Sequence, residues 1–276
     1  MMHVWRTITE AVELVEYSVN QEDERIEDLI RIAPKGCSSV LDVGARDGRV
    51  SMALAPHFEA VTALDLVKPN IRHPKVSNVQ GDVTELQFPD DSFDVVFCME
   101  VLEHIRPEML ERACAEIVRV ATYDVVIGVP YEQDLRIGRT VCLSCGKANP
   151  PWGHINMFNE KGLVSLFDAL EPVGTSFAGT NGGKTNALST LFMDLAGNPW
   201  GTYNQTETCI HCGCKLLNPP RRRWFQRILS GAALLLSEMQ SSLFTAKPNW
   251  IHMVFRKRRF VAGAGMIEGR CRSAGR

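Results

Sequence analysis

The sequence predicts an α/β fold: a mostly parallel, seven-stranded sheet with helices on both faces, plus a cysteine-bearing insertion late in the chain. Three observations predict it. Short β-branched and aliphatic runs alternate with helical periodicities from residue 39 to residue 130. The runs lack the polar alternation of a half-exposed strand, as strands buried on both faces do. Strand–helix alternation builds right-handed βαβ units and hence a parallel sheet.

In chain order, residues 8–32 read as an amphipathic helix or helix pair. Val12, Val15, Val19, Ile26, Leu29 and Ile30 recur near helical spacing, and Pro34 and Gly36 stop the pattern. Strands follow at 39–43, 60–66, 76–80, 93–99 and 123–129, with helices at 49–55 and 107–120. After Pro130 a long Gly- and Pro-containing segment, 131–158, carries Cys142 and Cys145. A helix at 159–170 and a sixth strand at 173–179 come next, and Trp250 to Phe255 reads as the closing strand. The expected organisation is therefore a helical segment at 1–36, a core at 37–180, an insertion or lid at 181–248, a closing strand at 249–258 and a disordered tail at 259–276. The tail is rich in Gly, Ala and Arg without periodicity. Its Ile267-Glu-Gly-Arg270 also matches a protease recognition sequence.

Composition narrows the function classes. Apolar residues make up 45% and charged residues 22% of the chain, as in ordinary soluble globular proteins. A net charge of −2 argues against a broadly basic nucleic-acid coat. No apolar run reaches the roughly 18 residues of a membrane span. Residues 1–10 show no apolar export-signal region, so a cytoplasmic location is expected. With nine cysteines and no export signal, free thiols or metal ligands are expected over disulfides.

The loop Asp42-Val-Gly-Ala-Arg-Asp-Gly48 joins the first strand to a helix. Glycine there lets the backbone turn and approach a ligand closely. The open helix end offers free N–H groups, and ligands bind at this edge of such sheets. A dinucleotide fingerprint needs G-x-G-x-x-G. Aligned on Gly44 it meets Arg46 and Arg49 where glycines belong, whereas D-x-G-x-x-x-G fits Asp42, Gly44 and Gly48. Asp65 ends the second strand about 20 residues on, the spacing of a ribose-binding acid. Gly81-Asp82-Val83 follows the third strand. Phe88-Pro-Asp-Asp-Ser-Phe-Asp94 leads into Val95-Val-Phe-Cys-Met-Glu-Val-Leu-Glu-His-Ile105.

These segments, in this order, resemble the motifs of class I S-adenosylmethionine-dependent methyltransferases, and the last is similar to the small-molecule and ubiquinone-type subgroup. The resemblance covers 37–130 well and extends weakly through 180. It implies a Rossmann-like sheet and S-adenosyl-L-methionine as cofactor. The implied contacts are Asp42, Gly44, Ala45, Arg46, Gly48 and Met99 around the loop, Asp65 and Leu66 at the ribose, and Asp82 and Val83 at the adenine. The chain departs from the family at Arg46, where a glycine is common. Taken singly, Gly44 is also an ordinary turn residue, Asp65 an ordinary strand-end cap and Asp82 an ordinary turn former.

Cys142-Leu-Ser-Cys145 and Cys209-Ile-His-Cys212 are two C-x-x-C knuckles, each followed by Gly, the ligand pattern of a tetrahedral Zn²⁺ site. His211 and Cys214 are alternative ligands, and free or redox-active thiols are the competing reading. Cys37, Cys98, Cys114 and Cys271 stand alone and read as ordinary thiols.

Glu100-Val-Leu-Glu-His104 begins just past the fourth strand, and a helical turn there puts Glu100, Glu103 and His104 on one face. With His154 they are candidate ligands for a second metal, Mg²⁺ or Mn²⁺, and the arrangement resembles the E-x-x-E-H plus distant histidine of small-RNA 2′-O-methyltransferases. The same Leu-Glu-His-Ile segment occurs in metal-free relatives, where His104 or His154 is instead the candidate catalytic base. Finally, Arg221-Arg-Arg-Trp-Phe-Gln-Arg227 opens an amphipathic stretch. It reads as a packed helix with a solvated basic end, or as a weak membrane-surface or anionic-acceptor contact. The leading expectation is an O-methyltransferase for a small molecule or glycan. The alternatives are a metal-assisted RNA 2′-O-methyltransferase and a non-catalytic cofactor- and zinc-binding protein.

Overall fold

The computed structural model describes residues 21–180, 183, 185–203, 205–219, 221–261 and 265–268. The first twenty residues, which hold the start of the expected N-terminal helix, lie outside them. The chain divides into two compact units. The first is Met1–Tyr131 with Asn159–Thr180 and Pro248–Arg276, and the second is Glu132–Phe158 with Asn181–Lys247.

The first unit opens with helix α1 at 21–32. It continues through β1 (Ser39–Val43), α2 (Arg49–Leu54), β2 (Ala60–Asp65), β3 (Val76–Gln80), β4 (Phe93–Met99), α3 (Pro107–Val120), β5 (Ala121–Pro130), α4 (Glu160–Leu166), β6 (Leu170–Ala178), β7 (Trp250–Val261) and β8 (Gly265–Glu268). The main sheet runs β3-β2-β1-β4-β5-β7, with β6 and β8 both paired to β7. The pairs from β3 to β5 are parallel, and β7 is antiparallel to β5, β6 and β8. This is the mostly parallel sheet the sequence predicts. β1 sits between β2 and β4 and is buried on both faces, which is why Val40, Leu41 and Val43 are fully apolar. The core on one face joins Leu29 of α1 to Val40, Leu54, Phe58, Val95 and Phe97. α3 shows its apolar stripe directly: Ala113, Cys114, Ile117 and Val120 are buried at helical spacing behind Pro107, a favoured first helical residue.

Two expectations are corrected. The tail 259–276 was expected to be disordered, but β7 runs on to Val261 and Gly265–Glu268 folds back against it, pairing Met266 with Phe260 and Ile267 with Arg259. The Gly- and Ala-rich sequence around this pairing shows no period-2 alternation, so pattern alone does not reveal it. Residues 262–264 and 269–276 lie outside the described ones. Cys37, read as an isolated thiol, is disulfide-bonded, a pairing that spacing does not encode.

The second unit consists of two excursions from the first. Thr140–Val141 pairs with Ala148–Asn149 in a small antiparallel ladder. Helices α5 (Ala187–Leu195) and α6 (Trp224–Ser242) form the rest of its regular structure. The sequence reading missed α5, although Asn186 caps it by accepting from the Ser189 amide, the ordinary start signal of a helix.

Candidate cofactor site and metal centre

β1 delivers Val43 to the carboxyl edge of the sheet, where the chain reverses into α2. Gly44 and Ala45 both donate to the Leu64 carbonyl of β2, at 2.8 and 3.0 Å. Gly44, Arg46 and Gly48 have φ values of 81°, 41° and 84°. A Cβ on Gly44 would lie 2.2 Å from Val101 Cγ2, and one on Gly48 would lie 2.5 Å from Ile71 Cγ1. Glycine is required at both for conformation and for space. Arg46 adopts the left-handed conformation that glycine favours.

Asp65 closes the loop from the β2 side. Its Oδ2 accepts the Arg46 amide at 3.0 Å and its Oδ1 accepts the Val67 amide at 3.4 Å. Leu66 beside it is exposed and Ala45 is buried. Asp82 accepts from the Thr84 amide and hydroxyl, both at 2.8 Å, so it organises its own turn, and Val83 is buried next to it. Met99 is buried at the end of β4, beside Gly128.

Beneath the loop lies a set of buried charges. Asp42 accepts from Ser51 Oγ, while its Oδ1 has no partner, and burial pushes its carboxyl up to about 7 against that hydrogen bond and the Arg25 charge. Glu100 sits at φ 56° just past β4. Burial pushes it up to about 7, opposed by Arg25 and by a hydrogen bond from Trp250, and its Oε1 is unpartnered. Glu103 is fully buried with neither oxygen bonded, and burial and Glu100 together raise it well above the carboxylate range. Arg25 of α1 pairs with Glu22, stacks on Trp250 at 5.7 Å and keeps Nη1 unpartnered. Sequence reasoning missed Arg25. The available signal is its place four residues before Leu29, a cation on the apolar face of α1.

The expected helical turn starts later than the sequence implied. It is a short 3₁₀ turn over Leu102–His104, so Glu103 and His104 belong to it and Glu100 does not. His104 is half-buried. His154, in the second unit, is buried and its Nδ1 shares a 2.6 Å hydrogen bond with Gln133 Oε1.

In the second unit, Cys142, Cys145, Cys209 and Cys212 place their Sγ atoms within 4.8 Å of one another. The Cys142–Cys212 and Cys145–Cys209 separations are 3.6 and 3.7 Å, and all four thiols are free. A tetrahedral site with Zn–S near 2.3 Å has S···S edges of about 3.8 Å, so the cluster has the dimensions of such a site. Each knuckle turns through a left-handed glycine, Gly146 and Gly213, whose amides return to the Cys142 and Cys209 carbonyls at 2.8 Å. His211 Nε2 lies 3.1 Å from the Ala148 carbonyl, so it joins the two excursions. Against the cost of burial, the His211 and Cys212 amides lower the Cys209 thiol, while, against backbone hydrogen bonds, burial and the neighbouring thiols raise Cys145 and Cys212.

The segment that holds the loop is similar to known proteins. Residues 41–126 match a family model described as a methyltransferase domain. A ubiquinone biosynthesis O-methyltransferase of Albidiferax ferrireducens is 32% identical over 107 residues, 34% of this chain and 42% of that protein. An uncharacterized methyltransferase of Bacillus subtilis, YcgJ, is 32% identical over 95 residues, 31% of this chain and 37% of that protein. The chain thus spans less than half the length of these relatives. The crystal structure of YcgJ superposes with a TM-score of 0.50 at 15% identity, covering 85% of this chain and 98% of that one, a likeness of fold.

Proposed function

We propose, for a chain whose residues 41–126 match a methyltransferase domain, that the protein is a class I S-adenosylmethionine-dependent methyltransferase and methylates a hydroxyl oxygen of a small-molecule or glycan acceptor. The observation that carries the reading is the β1–α2 loop, which turns through the left-handed Gly44 and Gly48 and is tied to Asp65. The residues present fit S-adenosyl-L-methionine. Asp42 Oδ1, Glu100 Oε1 and Arg25 Nη1 are buried without partners, as an ammonium and a carboxylate require.

In this reading Asp65 takes the ribose hydroxyls. Leu66, Asp82 and Val83 meet the adenine. Asp42, Arg25 and Glu100 take the amino-acid end, and Ala45, Arg46 and Met99 shape the walls. When bound, the cofactor supplies a methyl group already activated on a sulfonium. What remains for the protein is to orient the acceptor and exclude water. A hydroxyl acceptor must also lose a proton. His104 is assigned that role, and His154 is the second histidine to be tested for it. Likeness to O-methyltransferases favours oxygen as the acceptor atom. The cysteine cluster is assigned to structural Zn²⁺. Seven of the eight described cysteines are free, which suits a cytoplasmic setting, while the disulfide at Cys37 weighs against it.

A second reading is favoured by Glu100 and Glu103, whose buried oxygens lack partners. With His104 they would hold Mg²⁺ or Mn²⁺, which lowers the pKa of a bound hydroxyl and suits RNA 2′-O-methylation. Calorimetry with S-adenosyl-L-methionine, followed by turnover on a panel of hydroxyl acceptors and RNA, tests both. Absence of cofactor binding overturns the proposal. Tight binding with no turnover on any acceptor leaves a non-catalytic cofactor-binding protein.

A further inference from the structure

The α5–α6 pair is packed the opposite way round from an ordinary surface hairpin. The residues it buries are small: Ser189 on α5, and Ser230 and Ala233 on α6. Ser189 Oγ donates to the Ala233 carbonyl at 2.7 Å, so the seam is narrow and polar. The large apolar side chains face outward. On α6, Trp224 is 75% exposed and Ile228 63%, with Leu235 and Met239 on the same face at helical spacing. On α5, Leu188, Leu191 and Leu195 are exposed as well. A contiguous outward apolar face of this kind marks a surface that another apolar phase covers.

The charge around this face selects the phase. Arg221, Arg222, Arg223 and Arg227 cluster at the start of α6, and Glu238 is the sole acidic residue within that helix. The Arg222 guanidinium lies 4.8 Å over the Trp200 ring and donates to Ser230 Oγ, which holds an aromatic–basic corner beside Trp224. On α5, Asp194 is engaged by Arg139 at 3.2 Å. A second copy packed through the same face of α6 would set these arginines against their own kind, with Glu238 alone on that helix to meet them. An anionic lipid surface offers phosphates to the arginines, an interfacial depth suited to tryptophan and acyl chains for the leucines. α6 is too short of apolar residues to cross: among the described residues no helix is long and apolar enough to span a membrane.

We propose that α5 and α6 form an interfacial anchor that lies on a membrane surface rich in anionic lipid, its apolar face among the acyl chains and its arginines at the headgroups. Binding depends on neither cofactor nor acceptor, so its failure is separable from failure of the proposed activity.

Flotation of the full-length, zinc-replete protein with phosphatidylcholine vesicles, and with vesicles containing phosphatidylglycerol, tests this. Flotation with the anionic vesicles alone, reduced by added salt, is the expected result. Replacing Arg221, Arg223 and Arg227 by Gln should weaken binding by about fivefold per arginine. Ile228→Glu with Leu235→Glu, at exposed positions that leave folding and zinc content intact, should abolish it. No flotation, or equal flotation with both vesicle types, overturns the proposal. So does a sedimentation experiment in which the paired Glu variant abolishes a dimer while the wild type ignores both vesicle types, since the face then belongs to a second copy.

Discussion

Asp65 Oδ2 accepts the Arg46 amide at 3.0 Å, so the end of β2 and the loop after β1 are fixed to each other before any ligand arrives. Asp65→Ala removes this tie along with the carboxylate assigned to the ribose. Loss of a charged hydrogen-bonding partner costs about 1.5–3 kcal/mol, roughly tenfold to a hundredfold in affinity. Calorimetry should show S-adenosyl-L-methionine binding weakened by that factor while folding is retained. Unchanged affinity would remove Asp65 from the site.

The cysteine cluster predicts one zinc per chain. Metal analysis of protein purified without chelator should find it, and Cys145→Ser or Cys212→Ser should release it and lower the melting temperature. Both residues are on the solvent side of their knuckles, Cys212 more so, and a loss of fold without loss of zinc would contradict the assignment. A metal content of zero in the wild type rejects it outright.

Much of this was legible in the sequence because it rests on local patterns. The strands β1, β3 and β4 match their apolar runs residue for residue, and α3 matches its Pro107 start and its stripe. The glycines of the β1–α2 loop and the paired knuckles are spacing signals, and spacing is what a sequence displays. The misses depend on tertiary placement. Arg25 looks like one more charge on an amphipathic helix until α1 is packed against Trp250. Glu100 was grouped with Glu103 and His104 by helical spacing, but the turn begins at Leu102, and what unites Glu100 with Glu103 is burial. The outward apolar face of α6 was visible as periodicity. That small residues rather than large ones fill its seam was not.

The Asp28–His252 pair predicts an acid limb in stability. His252 Nδ1 donates to Asp28 Oδ2 at 2.7 Å, and Ser176 Oγ donates to Oδ1 at 2.6 Å. Despite burial, these bonds and Arg31 hold Asp28 down to about 2, from an ordinary 3.8. The unfolded chain therefore takes up this proton first as pH falls. The contribution, about 2 kcal/mol, is complete above pH 4 or so and is lost as pH drops through about 2. Burial lowers His252, so it too favours the unfolded, protonated chain below its ordinary value, a loss that begins below about pH 6.5. Urea unfolding from pH 4.5 to pH 2.5, below the range in which the raised glutamates titrate, should show stability declining, and Asp28→Asn should flatten that decline. A flat wild-type profile would contradict the pairing.

Glu103 makes the opposite prediction at the alkaline side. Its carboxyl is fully buried, unbonded and raised by burial and by Glu100, which is itself pushed up to about 7. The unfolded chain releases these protons near 4.5, before the folded one does. Stability of the ligand-free protein should therefore fall as pH rises from about 4.5 through 7, and Glu103→Gln should be the more stable protein at pH 8. A site that keeps so costly a charge has a use for it, and the variant separates the two readings of that use. If the carboxylates hold a divalent cation, Mg²⁺ or Mn²⁺ raises the melting temperature of the wild type at pH 8, leaves Glu103→Gln unmoved, and is required for turnover by dialysed protein. If His104 acts alone as base, added metal changes neither protein and dialysed wild type keeps full activity. His104→Ala then loses turnover by about 10²–10⁴-fold while binding the cofactor normally. Full activity in both His104→Ala and His154→Ala removes the acid–base reading, and a Glu103→Gln variant less stable than wild type at pH 8 contradicts the burial of its charge.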